Sequence, residues 1–479
     1  MKKLLAGVVT LLFFNQIKAQ DIAGSWQGAI NAGGTDLHLI FNIEKTDTSY
    51  TSTFDSPDQK AFGIPCSKTY KIKDSVFIEI AIIKGAYKGL WDGKNAITGV
   101  YSQGAAHLSL NMKRLTDADK AQMSKTPERP QTPKPPYNYF SEDVEYDNAN
   151  KTLHYGATFT RPNGDGKYPA VIIITGSGTQ DRDGTLFGHK LYWVLADYLT
   201  KNGIAVLRVD DRGAGKSSEG NNIAKVTSAD LSHDVEASLS YLETRTDVNK
   251  KHLGLIGHSE GGIIAPMVAA KRKDVDFIVL WAGPIVGGAE LNTQQNAYSL
   301  KRSGVDSIAV KAFINLHRKE LALFASSPDT TSLNQKILSV FDTWKKEQPQ
   351  SISDALHVKG NTIFGQDILK IYDGLYTLPW MRYFITYDPA TDLGKVKCRV
   401  LAINGSKDTQ VDAKSNLARI KEILTKNGNK NFETKELPGL NHLLQTATTG
   451  DVSEYEKISE TISPDAMKII SDWIKIQTK

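Results

Sequence analysis

Hydrophobic and polar positions alternate with period two from Asp21 to Leu115, as in Leu37-His38-Leu39-Ile40-Phe41 and Ser75-Val76-Phe77-Ile78-Glu79-Ile80. Glycine, asparagine and aspartate separate these stretches, and no apolar stripe of helical period runs through them. The pattern predicts antiparallel strands joined by tight turns, hence a small all-β domain over residues 20–115, a sandwich or a barrel. Trp26 and Trp91 read as core residues of that domain rather than as a carbohydrate-binding surface, because small β domains need large side chains to fill them.

The pattern then changes twice. Residues 116–138 are polar and carry Pro127, Pro130, Pro133, Pro135 and Pro136, five of the seventeen prolines, which predicts a stiff extended linker. Beyond it, strand-like apolar runs appear at Val171–Ile174, Ile204–Val209 with Arg208 as its one charged residue, Leu253–Ile256, Phe277–Leu280 and Val400–Ile403. Runs of this length suit strands covered on both faces, as in a parallel sheet. Segments of helical period lie between them, around Leu191–Leu199 and Leu231–Leu242, so residues 139–479 predict a doubly wound, mostly parallel α/β domain with right-handed crossovers. From about Gly287 to Asp388 the strand rhythm stops and a helical pattern replaces it, which predicts a cap over the carboxyl ends of the strands, where open α/β sheets bind ligands.

The first nineteen residues follow a different rule. Lys2 and Lys3 precede an uncharged run from Leu4 to Phe14, then polar Asn15 and Gln16 and a small Ala19. The run is too short to span a bilayer and reads as a secretory signal peptide over residues 1–19, so the mature chain is expected to be exported, periplasmic or secreted, with no membrane span. Its removal takes Lys2, Lys3 and Lys18 and lowers the formal charge from +5 to +2. That balance excludes a strongly basic nucleic-acid binder. Two cysteines, Cys66 and Cys398, cannot build a disulfide framework or a cysteine-rich metal site, and the histidines lack metal-ligand spacing.

Candidate chemistry concentrates at Gly257-His258-Ser259-Glu260-Gly261-Gly262, which follows the strand Leu253–Ile256 and precedes the helix-compatible run Ile263–Ala270. In a strand–tight turn–helix bend the residues two before and two after the serine crowd together, and glycine at both positions meets that demand. A serine hydroxyl attacks at neutral pH only when an imidazole takes its proton. Of the histidines after Ser259, His317 and His357 fall in the presumed cap, whereas His442 sits in the turn-rich Leu437-Pro438-Gly439-Leu440-Asn441-His442 after the short strand-like Phe432–Lys435. The acid that orients it is expected in the loop after Val400–Ile403, which makes Asp408 the candidate, with Asp412 as a rival and a helix cap as the bland reading of either. Two backbone N–H groups are also needed for an oxyanion, and the positions predicted for them are Glu260, at a helix start, and Ser177 or Gly178 in the loop Thr175–Asp183. Asp181, Arg182 and Asp183 of that loop read as ion-pairing groups that hold it. Neither Gly176-Ser177-Gly178 nor Asp210-Asp211-Arg212-Gly213-Ala214-Gly215-Lys216-Ser217 has the spacing of a phosphate loop, and the latter reads as a turn supporting the rim.

The elbow GHSEGG, the loop TGSGTQDRDG, the turn DDRGAGKSS, the acid loop NGSKDTQV and LPGLNH together resemble the serine α/β-hydrolase superfamily from about Asn138 to the C-terminus. The QDRDG loop, the passage PWMRYFITYDP and the preceding β module are similar to two-domain bacterial carboxylesterases, also described as serine peptidase-like hydrolases. Thr175 stands where many relatives carry histidine. The resemblance implies cleavage of small-molecule carboxylic esters by Ser259, His442 and Asp408 through an acyl-enzyme, without metal or organic cofactor. Two other readings stay open: an aminopeptidase or acylaminopeptidase using the same triad, and a noncatalytic carbohydrate-binding or adhesion protein.

Overall fold

The computed structural model describes residues 21–32, 35–57, 61–103, 106–116, 119, 128–327, 329–356 and 378–479. The expected signal peptide and His357 lie outside the described residues. The chain divides into two compact units, residues 1–126 and 127–479.

In the first unit nine antiparallel strands run β1 (Gly24–Ala32), β2 (Thr35–Lys45), β3 (Tyr50–Ser56), β4 (Ala61–Pro65), β5 (Lys68–Ile72), β6 (Ser75–Ile80), β7 (Gly85–Trp91), β8 (Ala96–Gln103) and β9 (Ala106–Arg114). Their order is β2-β1-β9-β8-β7-β6-β5-β3, and a further pairing of β2 with β3 closes the ring, leaving β4 on the flank of β3. The predicted all-β domain is therefore a barrel rather than a sandwich. Closure removes the exposed edges that an open sheet of this size would present. Alternation sends Trp26, Phe41, Phe54, Ile78, Tyr87, Trp91 and Leu110 inward to form the core.

The second unit is built on an eight-stranded sheet. Its strands are β10 (Phe140–Asp147), β11 (His154–Arg161), β12 (Tyr168–Ile174), β15 (Ala205–Val209), β16 (Val248–His258), β17 (Val275–Trp281), β18 (Arg399–Gly405) and β19 (Phe432–Leu437); a short hairpin, β13 (Thr185–Leu186) and β14 (His189–Lys190), stands apart from it. The order is β10-β11-β15-β12-β16-β17-β18-β19, antiparallel at the β10 end and parallel from β15 onward. Residues along β12 alternate between two cores. Ala170, Ile172 and Ile174 pack with the helices Ser228–Thr244, Gly261–Ala269 and Ala413–Lys426, whereas Val171 and Ile173 pack with Leu191–Lys201 and Pro464–Gln477. Both faces are covered, which is why these strands read as unbroken apolar runs. The sheet, its helices and the order of its connections are those of the α/β-hydrolase fold.

One departure from the sequence reading concerns a connection. Residues 128–138, read as the end of a stiff extended linker, are fastened to the body that follows: Arg129 donates to the carbonyls of Ile458 (2.9 Å), Phe187 (2.8 Å) and Glu456 (2.7 Å), and Gln131 donates to that of Ile462 (2.7 Å). Polar side chains in a proline-rich stretch look solvated in sequence, yet an extended chain exposes enough of them to clasp a neighbour. Between β17 and β18 the chain runs through α-helices that include α1 (Gly288–Arg302), α2 (Ser307–Ser326), α3 (Thr330–Glu347) and α4 (Pro379–Thr386). Asp306 and Asp329 cap α2 and α3 by accepting N–H groups of the first turn.

Candidate active site

The sheet's connectivity decides where a site forms. Strand β12 is flanked by β15 on one side and β16 on the other, so the chain leaves β12 and β16 in opposite directions and a crevice opens at their carboxyl ends. The loops that follow these two strands carry Ser177 and Ser259.

Ser259 has φ +53°, a left-handed conformation uncommon for a residue with a side chain. The strain is imposed by neighbours on every side. Ser259 N–H donates to the Trp281 carbonyl at 2.8 Å, and its carbonyl accepts Gly262 N–H at 2.8 Å as the next helix begins. A Cβ at Gly257 would collide with the Gly261 carbonyl, and one at Gly261 would lie 2.5 Å from the Ile174 carbonyl oxygen. The two glycines therefore let the bend close and let it sit against β12. Among the described residues the Ser259 hydroxyl makes no hydrogen bond.

His442 is buried, and its Nδ1 lies 2.8 Å from Asp408 Oδ2. Asp408 is held from four directions: Oδ1 accepts the N–H groups of Gln410 (2.9 Å) and Val411 (2.8 Å), and Oδ2 accepts Asn404 Nδ2 (3.2 Å) as well as His442. A carboxylate so filled favours the Nδ1–H tautomer of the imidazole and leaves Nε2 as the basic nitrogen. The acid and base loops are adjacent because β18 and β19 pair in parallel through Gly405 and Leu437, and Lys407 N–H donates to the Leu440 carbonyl at 2.9 Å. Asp412, the rival acid, accepts Ser415 N–H at 2.8 Å and caps the helix Ala413–Lys426.

Ser177, Gly178, Ser259, Glu260 and His442 line one cavity of about 500 Å³. Gly176 N–H is taken by Tyr192 Oη at 3.1 Å, while among the described residues the N–H groups of Ser177 and Glu260 are engaged by nothing. The Glu260 side chain is 1% exposed and Oε1 accepts Ser228 Oγ at 2.5 Å and Trp380 Nε1 of α4 at 2.7 Å. The loops behind the cavity lining are held by ion pairs. Arg182 meets Asp210 at 2.6 Å, Asp183 pairs with Arg208 and, at 3.1 Å, with Lys190, and Arg212 grips Asp234 at 2.6 and 2.7 Å. Asp211 accepts Thr175 Oγ1 at 2.7 Å and Gln180 N–H at 2.8 Å, which ties the loop after β12 to the turn after β15. Burial, reinforced by Asp234 and Glu260, raises the Asp211 pKa to about 7.

Sequence reasoning missed three members of this arrangement. Tyr192 is fully packed, and its hydroxyl meets Gly176 N–H, Gln180 Oε1 and His258 Nδ1, each at 3.1 Å. His258 packs against Trp281 and His442 in tilted contacts, with centroids 4.4 and 4.9 Å away, and burial together with the nearby His442 keeps its pKa well below the usual histidine value. Trp380 joins the cap to the elbow. Tyr192 lay in an apolar helix stripe and Trp380 in an aromatic-rich segment, so neither carried a signal beyond ordinary packing.

A family described as serine aminopeptidase, S33, matches residues 189–339. Esterase EstD of Thermotoga maritima is 29% identical over 210 residues, 43% of this chain and 48% of its own length, so the chain spans about half of that curated relative. Among solved structures, the esterase Pf2001 of Pyrococcus furiosus aligns over 71% of this chain and 92% of its own at 15% identity with a TM-score of 0.41. The α/β hydrolase GrgF from Penicillium sp. sh18 aligns over 71% and 98% at 14% identity with a TM-score of 0.42. The likeness to esterases and serine peptidase-like hydrolases drawn from the motifs is met again in the family match and in EstD.

Proposed function

We propose that this chain is a serine hydrolase that cleaves carboxylic esters. The observation that carries the reading is one buried Asp408–His442 pair sharing a cavity with a serine held at positive φ. Ser259 Oγ attacks the ester carbonyl while His442 Nε2 takes its proton, and Asp408 stabilises the imidazolium that results. The developing oxyanion is received by the free N–H groups of Glu260 and Ser177, the former at the start of a helix whose dipole favours negative charge. The alcohol leaves with the proton from His442, and water activated by the same nitrogen releases the acid and restores Ser259.

The ester reading is preferred to an aminopeptidase on a specific ground. A free amino terminus calls for a carboxylate facing the cavity, and the one carboxylate among its described lining residues, Glu260, is 1% exposed, with Oε1 held by Ser228 and Trp380 and Oε2 buried. The sequence pattern of residues 1–19 supports placing this chemistry outside the cytoplasm.

The test is labelling with a fluorophosphonate and turnover of 4-nitrophenyl acetate. Wild type should label at Ser259 and turn over; Ser259→Ala should lose the label and at least about 10³-fold of kcat while unfolding at the same temperature. Full activity in Ser259→Ala would remove the proposal.

A further inference from the structure

Resting on the esterase reading above, we infer that the substrate is the ester of a polyhydroxylated, uncharged compound, a sugar ester, recognised by Asn292 and Gln295 of α1 together with the aromatic pair of α4. Gly288, Leu291, Asn292 and Gln295 fall at one helical face, and all four line the cavity.

The orientation of both amides is fixed by groups that can play only one part. Asn296 Nδ2 donates to the Asn292 main-chain carbonyl at 2.8 Å, so the Asn292 side-chain atom 3.2 Å from that same nitrogen is Oδ1. His317 Nε2 adds a second contact to this oxygen at 2.8 Å. Asn292 Nδ2 therefore has both hydrogens to give. Gln295 Nε2 donates to the Gln410 main-chain carbonyl at 3.0 Å, which leaves Gln295 Oε1 as an acceptor. Neither Asn292 Nδ2 nor Gln295 Oε1 is sealed in the interior, and each lacks a protein partner among the described residues.

One wall of the cavity thus presents a donor and an acceptor, one helical turn apart and both neutral. A hydroxyl donates and accepts at once, so neighbouring hydroxyls satisfy this pair, whereas a bare hydrocarbon leaves both amides dry and unbonded. α4 adds an apolar part to the same lining: Trp380 and Phe384 stack at 5.2 Å with their planes 16° apart, and Trp380 is anchored by Glu260. A pyranose ring has this mixed character, with C–H faces for an aromatic surface and hydroxyls around its edge. The volume of about 500 Å³ accommodates such a ring with an acyl group.

The experiment compares kcat/KM of the full chain on a mono-O-acetylated methyl xylopyranoside with that on cyclohexyl acetate, a ring of like size without hydroxyls. The ratio of the two is internal to each protein sample, so partial misfolding of a variant cancels. Wild type should favour the sugar ester by at least about tenfold, and Asn292→Ala and Gln295→Ala should each cut that ratio several-fold, mainly through KM of the sugar ester. A wild-type ratio near one, or a ratio unchanged in both variants, would overturn the inference while fluorophosphonate labelling of Ser259 still stood. Absence of label and of turnover on every ester would instead remove the esterase reading, and this inference with it.

Discussion

The most consequential single residues are those whose chemistry is set by what surrounds them. Asp408 accepts four hydrogen bonds, of which only one serves His442. Asp408→Asn keeps the shape but offers an amide in place of the second acceptor oxygen, which favours the wrong imidazole tautomer. The expected outcome is a kcat lower by on the order of 10⁴ with KM for 4-nitrophenyl acetate little changed, read from steady-state kinetics. Asp211 gives a different kind of signature. Its carboxyl ionises near pH 7 in the folded chain against 3.8 unperturbed, because burial opposes the charge. The folded state binds that proton more tightly than the unfolded chain, so the stability it contributes is complete below pH 3.8 and is lost as pH rises through 7. Between pH 5 and 8 the wild-type melting temperature should fall more steeply than that of Asp211→Asn; equal slopes would count against a protonated Asp211.

At the scale of elements, the decisive join is the elbow between β16 and the helix Gly261–Ala269, pressed against the end of β12. Space there is so short that the residue at 257 has no room for a methyl group. Gly257→Ala is expected to lower stability by about 1–3 kcal/mol, seen as a shift of the urea midpoint, and to reduce fluorophosphonate labelling at Ser259 out of proportion to the unfolded fraction. The elbow motif was legible because steric crowding restricts residue type at fixed spacing. The groups that support it were not. Tyr192 reaches Gly176 and His258 from a helix that packs on the sheet, and Trp380 reaches Glu260 from the cap. Such contacts join elements far apart in the chain, and nothing local distinguishes their owners from other core aromatics.

For the whole molecule, the two compact units own separate cores: one enclosed by the barrel, the others on the two faces of the sheet. Phe41 is 0% exposed and packs 5.3 Å from Phe54 inside the barrel. Phe41→Ala should cost about 3–5 kcal/mol and lower one calorimetric transition while leaving the other, and the labelling of Ser259, in place. A single transition moving as a whole would show that the units unfold together. Hydrophobic rhythm alone marked an all-β front and an α/β body, since period two and unbroken apolar runs report directly how many faces of a strand are buried. The crowded bend likewise marked Ser259 as a candidate, and chain order after it marked Asp408 and His442, which the fold joins at 2.8 Å. Barrel closure, the clasp made by Arg129 and Gln131, and the gathering of α1 and α4 side chains at one cavity were decided only in three dimensions. Each depends on which distant segments come to lie side by side, and a linear pattern records the burial of a residue without recording its neighbour.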